Sequence, residues 1–115
     1  MSHKVIIVEG KTDKEKILDI IAEPVEILCT HGTLDREWLE EREEILAEQE
    51  IYILVDADEA GIKLRKQLTQ ALPNARHLYT RKMYQEVART PIDYLVKMLD
   101  NAHFTIAEKY RILLR

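Results

Sequence analysis

The side chains best able to do chemistry in this chain are carboxylates, and they fall in two short groups. Glu9 Gly10 Lys11 Thr12 Asp13 directly follows the apolar run Lys4 to Val8, and Asp56 Ala57 Asp58 Glu59 Ala60 Gly61 directly follows the run Ile51 to Val55. Residues i and i+2 on extended chain point to the same side, so Asp56 and Asp58 can both reach one cation as their strand ends. Carboxylates converging there with Glu9 would repel one another and raise at least one pKa unless a cation neutralised them. Magnesium keeps several waters and takes one or two carboxylates plus substrate phosphates, which suits Asp56 and Asp58 as ligands, directly or through water; manganese is the alternative ion. Glu9 then has two roles open to it: general acid or base in phosphodiester chemistry, or third ligand. Gly10 and Gly61 would allow close backbone approach to a phosphate, and Lys11 could pair with its oxygens. Plainer roles stand beside these. Asp58 reads equally as a helix N-cap, Asp56 as a strand-end turn former, and Asp13 as a favourable first-turn acid.

The elements that must position these groups alternate regularly. Lys4 to Val8 is a continuous β-branched run, the mark of a strand buried on both faces. Thr12 and Glu15 form a capping-box pair for a helix with the stripe Ile17, Leu18, Ile20 and Ile21, which ends before Pro24. Val25 to Cys29 reads as the second strand, with Thr30 His31 Gly32 Thr33 as the loop beyond it. Trp38, Leu39, Ile45 and Leu46 predict one long helix from about Asp35 to Ala47, acidic on its outer face. Ile51 to Val55 is the third strand. Asp58 caps a helix in which Gly61, Leu64, Leu68 and Leu72 line up before Pro73. Ala75 to Tyr79 is a weaker fourth strand. Thr90, Pro91 and Asp93 open a further helix, and Thr105 with Glu108 repeats the capping box for a terminal one.

This alternation implies an α/β fold of three α/β/α layers around a parallel sheet. Ligands of such sheets bind beyond the carboxyl ends of the strands at a switch point. For the two acidic groups to meet there, the first and third strands must be neighbours, giving four strands in the order 2-1-3-4.

The 115 residues suit one compact domain over positions 1–115. No signal-peptide pattern opens the chain and no apolar run is long enough to cross a bilayer, so a cytoplasmic protein without membrane attachment is expected. The single cysteine, Cys29, excludes an internal disulfide and a cysteine-built zinc site, and reads as a small buried hydrophobe. The net charge of −4 is unevenly spread: residues 35 to 50 hold eight acids against two bases, while no acid occurs between Ala60 and Gln85. That second window carries Lys63, Arg65, Lys66, Arg76, Arg81 and Lys82, interleaved with His77, Tyr79 and Tyr84. Basic groups with aromatics can hold phosphates and stack bases, which makes Lys63, Lys66, Arg81 and Lys82 candidates for nucleic-acid contact; the alternative is a solvated helix face and an ordinary polar loop. The acidic segment is a solvated face or a docking face for a basic partner.

In correct order after their strands, Glu9 Gly10 Lys11 Thr12 Asp13 and Asp56, Asp58 and Gly61 resemble the Toprim domain of type I and II topoisomerases, bacterial primases and certain nucleases. The likeness covers nearly the whole chain and is greatest to small Toprim proteins and to the ribonucleases that mature 5S ribosomal RNA, in which Thr30 His31 Gly32 also has a counterpart. The resemblance implies that Glu9 is the acid–base residue and that Asp56 and Asp58 hold Mg2+, with Asp13 and His31 as accessory residues. It implies a nuclease acting on structured RNA or DNA, or a metal- and nucleic-acid-binding module without cleavage that works with a partner protein or a second copy. One position departs from the type IA topoisomerases, which carry a third acid where this chain has Ala60. A phosphoacceptor receiver would need an acid pair after the first strand, and a dinucleotide fold would need a Gly-x-Gly-x-x-Gly loop; the chain has neither.

Overall fold

The computed structural model describes residues 3–47 and 49–115. The β-branched run Lys4–Val8 forms β1 and lies inside a four-stranded sheet of order β2-β1-β3-β4, with β2 at Val25–Cys29, β3 at Glu50–Leu54 and β4 at Arg76–Leu78. All three pairings are parallel; Ile7 sits opposite Leu28 on one side and Ile53 on the other. The predicted fold class and strand order are therefore observed, including the adjacency of β1 and β3.

Because side chains alternate along a strand, each inner strand serves two cores. Ile6, Val8, Tyr52 and Leu54 face Ile17 and Ile20 of α1 (Lys11–Ile20) and Leu95, Val96 and Leu99 of α5 (Ile92–Asn101). Val5, Ile7, Ile53 and Val55 face the other way, onto Trp38 of α2 (Arg36–Glu41) and Leu64 and Leu68 of α4 (Glu59–Ala71). Between them lies α3, Glu43–Leu46. Short 3-10 turns cover Lys82–Tyr84, Val87–Arg89 and Glu108–Leu114. No helix among the described residues is long and apolar enough to cross a membrane.

Several predicted boundaries are corrected. α1 starts two residues earlier than the Thr12–Glu15 box implies: Gly10 is its N-cap, and Asp13 folds back so that its Oδ2 accepts the Gly10 N–H at 3.2 Å. The single helix expected from Asp35 to Ala47 is two, broken at Arg42, whose guanidinium turns back over the Trp38 ring and donates to the Trp38 carbonyl at 3.1 Å. Glu48, part of that acidic segment, lies outside the described residues. Pro91 is the N-cap of α5 rather than its first residue, and the Thr90 hydroxyl donates to the Glu86 carbonyl instead of capping. The Thr105–Glu108 box does not form. Glu23 accepts the Thr105 N–H at 2.6 Å, Ile106 bridges to Ile21, and the segment beyond is a 3-10 turn capped at Ala107.

Candidate metal and phosphodiester site

Both acidic groups emerge at the carboxyl edge of the sheet, from neighbouring strands. Glu9 follows β1 and is fixed twice: its carbonyl accepts the His31 N–H at 2.6 Å, and its Oε1 accepts the Asp56 N–H at 3.0 Å. The sequence produces this directly, since β1 and β3 both end within two residues of their acid. Asp56 is fixed in turn, its Oδ1 accepting the Val87 N–H at 2.8 Å, while the Ala57 N–H donates to the Gln85 carbonyl. Residues 85–87 thus form a wall against the strand end. Lys16 of α1 secures the same wall by donating to the carbonyls of Ala88 and Thr90 at 3.0 and 2.9 Å.

Asp58 caps α4, its Oδ1 accepting the Gly61 N–H at 2.8 Å. Gly61 is buried, and a Cβ there would lie 2.0 Å from the Asp56 carbonyl oxygen, so its role inside the chain is to let α4 begin against the Asp56 backbone. Gly10 differs. Its backbone is extended, and the nearest atom to an added Cβ is Asp13 Oδ2 at 3.9 Å, so the protein itself does not demand glycine there. Lys11 is exposed, 4.0 Å from Glu15. His31 adopts a left-handed backbone (φ 58°) in the loop after β2 with its side chain exposed, and among the described residues it makes no side-chain bond to the carboxylates.

Burial dominates the electrostatics. Desolvation raises the pKa of Glu9, and the charges of Asp56, Asp58 and Asp13 add to it. Asp56 is raised in the same way, with Asp58 and Glu86 as the repelling neighbours. Asp13, at 8% exposure the most buried of these acids, is raised by desolvation first and then by Asp56 and Glu86. Among the described residues no three Asp, Glu, His or Cys side chains are drawn together tightly enough to cage an ion. The donor set is nonetheless all oxygen, crowded with like charge and open on the Gly10 side. That fits an ion which keeps waters and takes few carboxylates from the protein.

The exposed basic residues Lys63 and Lys66 lie on α4, and Arg81 and Lys82 lie in the segment after β4. None of the four makes an ion pair among the described residues. Arg65, from the same window, is instead half-buried and turned onto β4. Asp93 is an exposed first-turn acid of α5. Sequence reasoning missed Glu86 and the Val87 N–H. The only trace of either was that Glu86 is the first acid to follow the acid-free window.

Comparison with known proteins agrees with this fold. The Toprim domain family model matches residues 4–86. The Bacillus subtilis protein YusF is 47% identical over 104 residues, covering 90% of this chain and 71% of its own. Ribonuclease M5 of Mycoplasma genitalium is 36% identical over 76 residues, covering 65% of this chain but 42% of that protein, so the chain spans about two fifths of the ribonuclease. A small TOPRIM domain protein from Bacillus stearothermophilus superposes with a TM-score of 0.87 at 45% identity, over 95% of this chain and 92% of that one. With more than half its length matched and both acidic strand ends side by side, the chain belongs to the Toprim domain family.

Proposed function

We propose that this protein carries out magnesium-dependent phosphodiester chemistry on nucleic acid, with Glu9 as the proton carrier and Asp56 and Asp58 as the carboxylates that hold the ion. The observation that carries the reading is the hydrogen bond from the Asp56 N–H to Glu9 Oε1, which fixes a proton-exchanging acid beside a candidate ligand. A bound magnesium ion supplies positive charge that polarises a phosphoryl oxygen. Glu9, its pKa raised by burial, holds a proton more readily than an ordinary glutamate, the direction that suits a group which must both accept and return one. Its Oε1 is engaged, and Oε2 takes no hydrogen bond among the described residues, so Oε2 is the atom for transfer. Lys11 and the open space at Gly10 receive the phosphate.

The ribonucleases among the relatives favour RNA over DNA as the substrate. A second reading, a binding module that works with a partner protein or a second copy, is favoured by one feature: Asp56 already gives one oxygen to the Val87 N–H. Incubation of labelled structured RNA and single-stranded DNA with magnesium, for the wild type and Glu9→Gln, separates the two. Cleavage that is lost in Glu9→Gln while metal binding persists supports the enzyme, because an amide fills the same space and cannot transfer the proton. Metal and nucleic-acid binding with no cleavage by the wild type supports the module.

A further inference from the structure

Tyr79 follows β4 and belongs to neither core, being 60% exposed. An exposed ring gains little from burial, yet this one is held rigidly. The Arg65 guanidinium lies over it, 4.2 Å from the ring centroid. Arg65 is itself fixed, with Nη2 donating to the Leu78 carbonyl at 2.7 Å and Nη1 to His77 Nδ1 at 2.8 Å. The Thr69 hydroxyl donates to the Arg65 carbonyl at 2.8 Å, which leaves its oxygen to accept from His77 Nε2 at 3.3 Å and keeps Nδ1 as the acceptor that Arg65 requires. The His77 ring stacks 6.0 Å from Tyr79 at 26°. Finally, the Tyr94 hydroxyl donates to the Tyr79 carbonyl at 3.4 Å. A cation below, an imidazole beside and a clamped backbone fix the plane of a ring left open to solvent.

We propose that Tyr79, backed by Arg65, is a stacking platform for an unpaired nucleobase, with Arg81 and Lys82 taking the phosphates on its flank. Ring-face stacking requires a base splayed out of a helix, so the occupant is a single-stranded segment and not a duplex. The location also fits. Leu78 pairs with Leu54, so Tyr79 stands beside Val55, one strand spacing of about 4.8 Å from the chain that continues into Asp56. Tyr79 leaves on the α4 face, whereas Asp56 turns to Val87 on the opposite face. The nucleotide chain therefore crosses the carboxyl edge of the sheet between platform and carboxylates. This inference rests on the nucleic-acid reading above.

The test uses the full chain with a single-stranded oligoadenylate carrying 2-aminopurine and with a duplex RNA of equal length, comparing wild type, Tyr79→Leu and Tyr79→Phe. Wild type and Tyr79→Phe should quench the 2-aminopurine, as a stacked base does. Tyr79→Leu should lose the quenching and about 5- to 150-fold in single-strand affinity, with duplex affinity and the salt slope unchanged. Wild-type binding without quenching, or equal single-strand affinity in Tyr79→Leu, overturns the platform and leaves the nucleic-acid reading standing. Failure of the wild type to bind either probe at low salt overturns both.

Discussion

Gly10 and Gly61 each follow one of the two acidic strand ends but stand there for opposite reasons, and alanine at each position exposes the difference. At Gly61 an added methyl would sit 2.0 Å from the Asp56 carbonyl oxygen, 2.7 Å from its carbon and 3.0 Å from its Cα. Ordinary contact begins near 3.4 Å, so about 1.4 Å of separation must be found (3.4 less 2.0), against backbone that carries a candidate ligand. Overpacking of this kind costs about 1–3 kcal/mol, and a clash with backbone belongs at the upper end. Alanine's better helix propensity returns up to about 1 kcal/mol, leaving a net loss of about 2 kcal/mol. At about 4 °C per kcal/mol, that lowers Tm by roughly 8 °C. Gly10→Ala meets nothing nearer than 3.9 Å in an extended conformation any residue adopts, so the gain of about 0.4–1 kcal/mol through the unfolded state offsets alanine's poorer fit at an N-cap, and stability should stay close to that of wild type. Urea melts of both variants give the ΔG values, and titration with the RNA of the cleavage assay gives affinity. The expected pattern is Gly61→Ala destabilised, and Gly10→Ala stable but weaker for nucleic acid. A Gly61→Ala protein as stable as wild type would refute the packing argument, and undiminished RNA affinity in Gly10→Ala would refute the phosphate approach.

Asp56→Asn with Asp58→Asn keeps both acceptor bonds, to Val87 and Gly61, through Oδ1, yet should abolish the rise in Tm that magnesium or manganese produces in wild type. By calorimetric titration, equal metal affinity in the two proteins would sink the assignment. The raised pKa values of Glu9, Asp13 and Asp56 mean that the folded state holds more protons than the unfolded one between the ordinary carboxylate range and the raised values, so metal-free stability should fall as pH rises through that window. Magnesium, which competes with those protons for the carboxylates, should stabilise more above that window than within it, and a metal effect that shrinks with rising pH would contradict this. Replacing Lys63, Lys66, Arg81 and Lys82 by alanine should weaken nucleic-acid binding and flatten its salt dependence by about 0.7 per lost phosphate contact on single strands. An unchanged slope would remove that surface.

What could be read from the residues follows from where local pattern controls structure. The β-branched run Lys4–Val8 gave β1 to the residue, because a strand buried on both faces is apolar throughout, and the apolar stretch Val25–Cys29 after Pro24 gave the edge strand β2 to the residue as well. The requirement that two acidic strand ends meet was enough to order the sheet. Local pattern failed where several answers were locally equivalent. Before α1 the Thr12–Glu15 box competes with a start at Gly10, whose N–H is taken by the Asp13 carboxylate, and the helix begins from Gly10. The apolar pairs Trp38–Leu39 and Ile45–Leu46 suit one helix or two, and the Arg42 stack on Trp38 decides for two. In the segment from Thr80 to Thr90 no periodicity exists to read. Its course is set by Asp56, Ala57 and Lys16, residues 28 to 74 positions away whose reach appears only in three dimensions.

The bond between Asp56 and Val87 makes one carboxylate answer to two masters. The segment it holds continues back through Tyr84 and Lys82 to Tyr79, which is the stretch assigned to nucleic acid, while the same carboxylate is assigned to the ion. Free energy is a function of state, so if an ion draws Asp56 away from the Val87 amide, the segment loosens by the same amount that its ordering would resist the ion. Where the ion and the segment share the carboxylate without strain, each instead tightens the other. The sign of that coupling is a single number, obtained by measuring RNA affinity with and without magnesium and metal affinity with and without RNA. The two ratios must agree. A Val87→Pro variant, which has no amide hydrogen to offer, should bring both towards one.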